Sequence, residues 1–298
     1  MRQLFHPDKQ KFIITLATAL VCFFGLEAAS QALDFYQIRS FFTISSALYL
    51  FLVAMQSFIF DLHLKPARTL KTSFKSFEQS LRERFEYFKH GSHWLHFQNY
   101  LILSGIIYWA TISVIFMSPF NDFLKQFWII FSTLLLSVCF WYIKTVFYRH
   151  NETNHITRQL IFITKLYASY LAFIAAFGIS RYFAYGPEFF SISVFAISFL
   201  LVQQALFQYH TLGFQTLKYL LTTSMVMAIC AFALYVFWNV NYYSGALALA
   251  AVYNTIWGVV HHRFISKDIT REIVYEYLAV LFIVLVIVFS TTNFAERI

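Results

Sequence analysis

A helix needs about 20 consecutive apolar residues to cross the hydrocarbon core of a bilayer, and nine stretches of this chain meet that length. They are Phe12–Ser30, Ser40–Asp61, Phe97–Ser118, Leu124–Phe147, Leu160–Phe183, Phe189–Tyr209, Phe214–Trp238, Ser244–His261 and Tyr275–Asn293. Lipid offers no partner to a backbone N–H or C=O, so a spanning segment of this kind must close its hydrogen bonds within itself, as a helix does. The connections between most spans are short, which makes neighbours antiparallel. The expected fold is therefore an all-α polytopic transmembrane bundle, a single integral membrane domain over residues 1–298.

Composition agrees. Of 298 residues, 59% are hydrophobic and 12% charged, against roughly 25% charged in a soluble domain. Cys22, Cys139 and Cys230 lie far apart inside apolar spans, which reads as buried free thiols rather than a disulfide framework. Near the N-terminus, a basic start and the small residues Ala28, Ala29, Ser30 and Ala32 have the ends of a cleavable leader. The apolar stretch between them is too long for one, and an uncleaved first helix is the expectation.

Charge gives the orientation. With the N-terminus in the cytoplasm, nine spans put every Lys and Arg except Arg39, Lys125, Arg181 and Arg297 on the cytoplasmic side or at cytoplasmic helix ends. The C-terminus then lies outside, in a bacterial-type inner or plasma membrane. Lys165 and Lys218 fall slightly inside their helices, from where a lysine snorkels to the interface. The net charge of +8 is accounted for by basic loops facing anionic lipid, so no nucleic-acid partner is expected.

The longest polar segment follows the second span. Within residues 71–89, Phe74, Phe77, Leu81, Phe85 and Phe88 form one helical face, interleaved with Lys71, Lys75, Arg82, Arg84 and Lys89. This is the pattern of an interfacial amphipathic helix, lying on anionic lipid or on the cytoplasmic face of the protein itself.

All ten histidines fall on that same side. His90, His93 and His96 share a broad helical face, His150 and His155 flank a loop, His210 closes the sixth span, and His261 and His262 close the eighth. These eight form a candidate ligand pool for a transition metal, iron or zinc, with Asp61, Glu152, Asp268, Glu272 and Glu276 on the same side. In number and sidedness the histidines resemble those of the membrane di-iron desaturases and hydroxylases, which implies a metalloenzyme acting on a lipid-soluble substrate. In spacing they depart from it: those families use boxes such as HxxHH, whereas His261 follows Gly258, Val259 and Val260. Haem would need histidines facing each other within the membrane, and only His96, His210 and His261 come near that depth. A retinal Schiff base is disfavoured because the last span lacks lysine.

A small-molecule transporter is the remaining class. Its usual marks are broken helices and polar groups at mid-membrane. No span is interrupted by Pro, and the mid-span polar residues Gln203, Gln204, Asn254, Thr222, Thr223 and Ser224 are expected to hold helices together by hydrogen bonds. No nucleophile motif or phosphate loop is present. The sequence thus points to lipid or partner binding at the cytoplasmic face, with membrane lipids, a membrane protein or a second copy as partner. The metalloenzyme and the transporter are the alternatives.

Overall fold

The computed structural model describes residues 7–64, 91–117, 122–142, 155–208, 214–238, 241–266 and 271–292. Among these there are nine helices and no strand: α1 (Pro7–Asp34), α2 (Ile38–Leu64), α3 (Gly91–Met117), α4 (Asp122–Trp141), α5 (His155–Tyr182), α6 (Pro187–Gln208), α7 (Phe214–Phe237), α8 (Tyr242–Ser266) and α9 (Arg271–Thr291). Eight are long and apolar enough to cross a membrane; in α3 the apolar run is the shorter Leu101–Met117. The amphipathic segment 71–89, with Lys71, Lys75, Arg82, Arg84 and Lys89, lies outside the described residues.

Contacts between helix ends establish the alternation. Lys125 at the start of α4 meets Asp34 at the end of α1 at 2.8 Å. The Arg181 guanidinium at the end of α5 reaches the last turn of α7. At the far end of the bundle Phe12 of α1 packs edge-on to Trp141 of α4. The starts of α1, α3, α5, α7 and α9 therefore share one end with the ends of α2, α4, α6 and α8. This is called the basic end below, because the sequence puts most of its cations there.

The helix α5 is the axis of the bundle, packed against α3, α4, α6 and α8. Its Ala168, Ala172, Ala176 and Ser180 recur every fourth residue and are all buried. A stripe of small side chains lets neighbouring backbones approach closely, which is how helices gain packing energy where lipid is as apolar as leucine. The helix α9 is the opposite case. It lies against α8, and most of its apolar side chains face outward, as on a helix solvated by lipid.

Two hairpin turns at the end opposite the basic one use the same cap. In the first, the Gln37 N–H donates to the Ala32 carbonyl and the Tyr36 N–H to Leu33, both at 2.9 Å. In the second, the Tyr185 N–H donates to Ser180 and the Ala184 N–H to Arg181, at 2.8 and 3.2 Å. Each pair is the double bond of a Schellman cap, with Tyr36 (φ 57°) and Ala184 (φ 52°) in the left-handed position that glycine usually fills. Pro187 then opens α6, where its missing N–H costs nothing.

Many polar side chains inside the bundle find partners within it. Thr18, Thr164, Ser180 and Ser224 each donate to the carbonyl four residues back. Between helices, Gln56 of α2 bonds Ser104 of α3 at 2.9 Å. The Tyr108 hydroxyl donates to the Ser45 carbonyl at 2.6 Å. Thr111, Ser132 and Tyr167 link α3, α4 and α5 through steps of 2.8 and 3.0 Å. Gln126 donates to Glu27 at 2.7 Å, so that carboxylate is held by α4 rather than by headgroups. Cys22 is buried, Cys139 and Cys230 are half-buried, and all three are free thiols.

Candidate functional site

The histidine pool divides in three. His90, His150 and His210 lie outside the described residues, and for His93, His96 and His155 only the helical backbone is described, at the basic ends of α3 and α5. His261 and His262 are described in full. The His261 ring packs 5.6 Å from Trp257 on its own helix. The His262 ring turns nearly perpendicular to it and meets Tyr277 of α9 at 5.9 Å. Tyr277 in turn lies over Gly258, where any Cβ would collide with its ring. This pair therefore belongs to the seam between α8 and α9. Among the described residues, no three His, Cys, Asp or Glu side chains come together as a metal site requires. Sharing one side of the membrane is the expectation from charge; convergence of at least three is a separate condition, and the described side chains do not meet it.

The mid-span polar residues also separate. Asn254 donates its amide to the Ala250 carbonyl at 2.7 Å, closing a bond within its own helix, not one between helices. Gln204 is buried, and its side-chain oxygen has no hydrogen-bond partner among the described residues. Gln203, one position earlier, points elsewhere: it lines a groove.

That groove runs between α3, α5 and α6, with Tyr49 of α2 at its edge, and encloses about 730 Å³. Its origin is in residue size. Ala172, Ala175 and Ala176 on α5 and Gly105 and Ala110 on α3 fail to fill the space that α6 leaves open. From Leu101 to Ser113 it follows α3 for about 18 Å, more than half of a hydrocarbon core of roughly 30 Å. Trp109, Phe189 and Leu200 line it and are also exposed on the flank of the bundle, so it opens sideways rather than at either end of the helices.

The two ends of the groove differ. At the end opposite the basic one, Phe189 continues into an aromatic string with Tyr185 (4.4 Å) and Phe183 (5.7 Å from Tyr185). At the other edge Tyr49 stacks on Tyr108 and tilts onto Trp109, with centroids 5.4 and 5.3 Å apart. The serines in the wall are committed to their own helices: Ser113 donates to Trp109 and Ser193 to Phe189, both at 2.8 Å. Toward the basic end the lining gains the Gln203 amide, which makes no hydrogen bond to another described residue.

Of these residues the sequence reading singled out Gln203 alone. The signal that was available is the small-residue stripe of α5, because close packing by small side chains also leaves gaps where no neighbour arrives. Tyr49, Gly105 and Trp109 carry no local signal, since three helices distant in sequence bring them together.

No protein-family model, no curated protein and no solved structure matches the chain.

Proposed function

We propose that this integral membrane protein binds a membrane lipid, with a hydrocarbon chain seated in the groove between α3, α5 and α6. The observation that carries the reading is the groove itself: about 730 Å³, apolar, membrane-deep and open to the side. Pockets of roughly 300–1,000 Å³ lined by apolar and aromatic side chains are the usual size for a bound small molecule. A ligand that enters from the flank of a spanning bundle has to be dissolved in the membrane already. This supports the lipid-binding reading of the sequence and moves its site from the cytoplasmic surface into the bundle wall. The proposed orientation is the one charge favours, with the N-terminus and the basic end in the cytoplasm. The metalloenzyme reading draws no support from the described histidines, and the transporter reading none from Asn254.

The test is lipid retained through purification, read by native mass spectrometry. Ser193→Trp puts an indole into the groove from its wall, whereas Ile192→Trp, on the neighbouring lipid-facing position, leaves it open. The expected result is lipid bound to the wild-type and Ile192→Trp proteins and lost from Ser193→Trp. Equal retention by all three would refute the groove as the site.

A further inference from the structure

The face that α6 turns to the groove is Phe189, Ser193, Ile197, Leu200 and Gln203, in steps of four, four, three and three, one stripe of a helix. The polar groups of the lining are otherwise engaged. Ser193 bonds its own helix, and so does Ser113 across the groove on α3. The Tyr49 hydroxyl shares a hydrogen bond with the Trp109 side chain. Gln203 differs, because its amide faces the groove and makes no hydrogen bond to another described residue. An amide in a spanning helix can bond back to its own turn, as Asn254 does with the Ala250 carbonyl. Gln203 does not, and a polar group without a partner is costly away from water. It is the place in this wall where a ligand oxygen would be stabilised.

Its depth identifies that oxygen. The apolar run of α6 is Pro187–Leu206, 20 residues, or about 30 Å, the thickness of the hydrocarbon core. Gln203 is three residues inside the end of that run on the basic side, about 4.5 Å below the edge of the core. In an ester-linked lipid the carbonyl stands near this edge, at the head of the hydrocarbon chain. From Gln203 to Phe189 the wall continues for 14 residues, about 21 Å. That exceeds the roughly 15 Å of one leaflet, half of the core, so a chain that starts at Gln203 stays in the groove to its end. Among the described residues the lining carries no charged side chain. The contact available is between a neutral amide and a neutral oxygen.

Resting on the lipid reading above, we infer that the ligand is an ester-linked acyl lipid. One ester carbonyl accepts a hydrogen bond from the Gln203 amide. The acyl chain it carries runs along Leu200 and Ile197 toward Phe189, and the headgroup lies beyond Gln203, in the interface at the basic end. An ester carbonyl has only lone pairs to offer, and the Gln203 amide has two N–H donors.

The test uses the full chain in nanodiscs holding equal amounts of ester-linked phosphatidylcholine and its ether-linked counterpart of the same chain length, with the retained lipids compared by native mass spectrometry. The two share headgroup and hydrocarbon and differ in the carbonyls. The wild type is expected to favour the ester lipid about fivefold, as one neutral hydrogen bond implies. Gln203→Leu, which keeps a side chain in the wall and removes the amide, should bring the ratio to about one while total bound lipid persists. Asn254→Leu, which removes an amide away from the groove, should leave the preference intact. Equal retention of both lipids by the wild type would overturn this inference, and so would an undiminished preference in Gln203→Leu. Either result leaves the groove reading standing if Ser193→Trp still abolishes binding. Should Gln203→Leu fail to fold, the wild-type ratio alone decides.

Discussion

Three residues at the end opposite the basic one show how a single side chain sets the geometry of a hairpin. Ala184 holds a left-handed φ of 52° to cap α5, a conformation that costs an L-residue about 1–2 kcal/mol and glycine almost nothing. Ala184→Gly also loosens the unfolded chain, which returns about 0.4–1 kcal/mol. The net expectation is a gain of about 0.5 kcal/mol, read as a raised unfolding midpoint in detergent. Arg181 works across helices. Its guanidinium donates to the Tyr235 and Trp238 carbonyls at 2.9 and 3.2 Å and lies 4.2 Å from the Tyr235 ring centroid. It thereby satisfies carbonyls that the end of α7 leaves unpaired, and the Tyr235 hydroxyl returns a bond to the Tyr185 carbonyl of the adjoining turn. Arg181→Ala should cost about 2 kcal/mol. Arg181→Lys should restore less than half, because an ammonium cannot serve two carbonyls and a ring in one plane.

At the scale of elements, the helices are joined by two devices: small residues that admit a large neighbour, and short chains of hydroxyls. Gly258 is the clearest case of the first, since Tyr277 of α9 occupies the place of its missing side chain. Gly258→Val should cost about 1–3 kcal/mol by overpacking and free α9 from α8. Protease access to the loop between α8 and α9 would report it, and adding Tyr277→Ala should reverse much of the loss. If Gly258→Val is neutral, α9 is not seated by this contact. For the second device, Thr111→Val removes the link from α3 to Ser132 and on to Tyr167. Its expected cost is about 0.6 kcal/mol, the average for such bonds between membrane helices, measured by unfolding in mixed micelles. The element count was legible from apolar length alone. The pairing of elements was not, because a lipid-facing and a protein-facing leucine look alike in sequence. The polar residues that bridge helices, such as Gln56, Ser104 and Ser132, carry no periodic signal to set them apart from the many Ser and Thr that bond back to their own helix.

For the molecule as a whole, an odd number of crossings puts the two termini on opposite sides of the membrane. A reporter fused after Ile298 should therefore read the side opposite one fused before Met1, and the same side for both would exclude nine crossings. The histidines offer a second whole-molecule test. His261 and His262 are engaged with Trp257 and Tyr277, so His261→Ala and His262→Ala should leave the metal content of the purified protein unchanged. A stoichiometric metal that these changes remove would return the metalloenzyme reading to first place.

Sequence by itself determined the class of this protein. Apolar length demands helices, because lipid tolerates no open backbone, and the distribution of cations ranks the two orientations, because moving charge across a bilayer is expensive. It also put Lys165 at the rim of its span, where snorkelling gave a sufficient account of it. Only the tertiary structure decided that α5 is the axis, that Gln203 lines a groove between α3, α5 and α6, and that His261 and His262 belong to a helix seam. The physical reason is that a groove is a deficit. It arises where several helices meet and their side chains leave space unfilled, and no single helix carries a mark of what its neighbours omit.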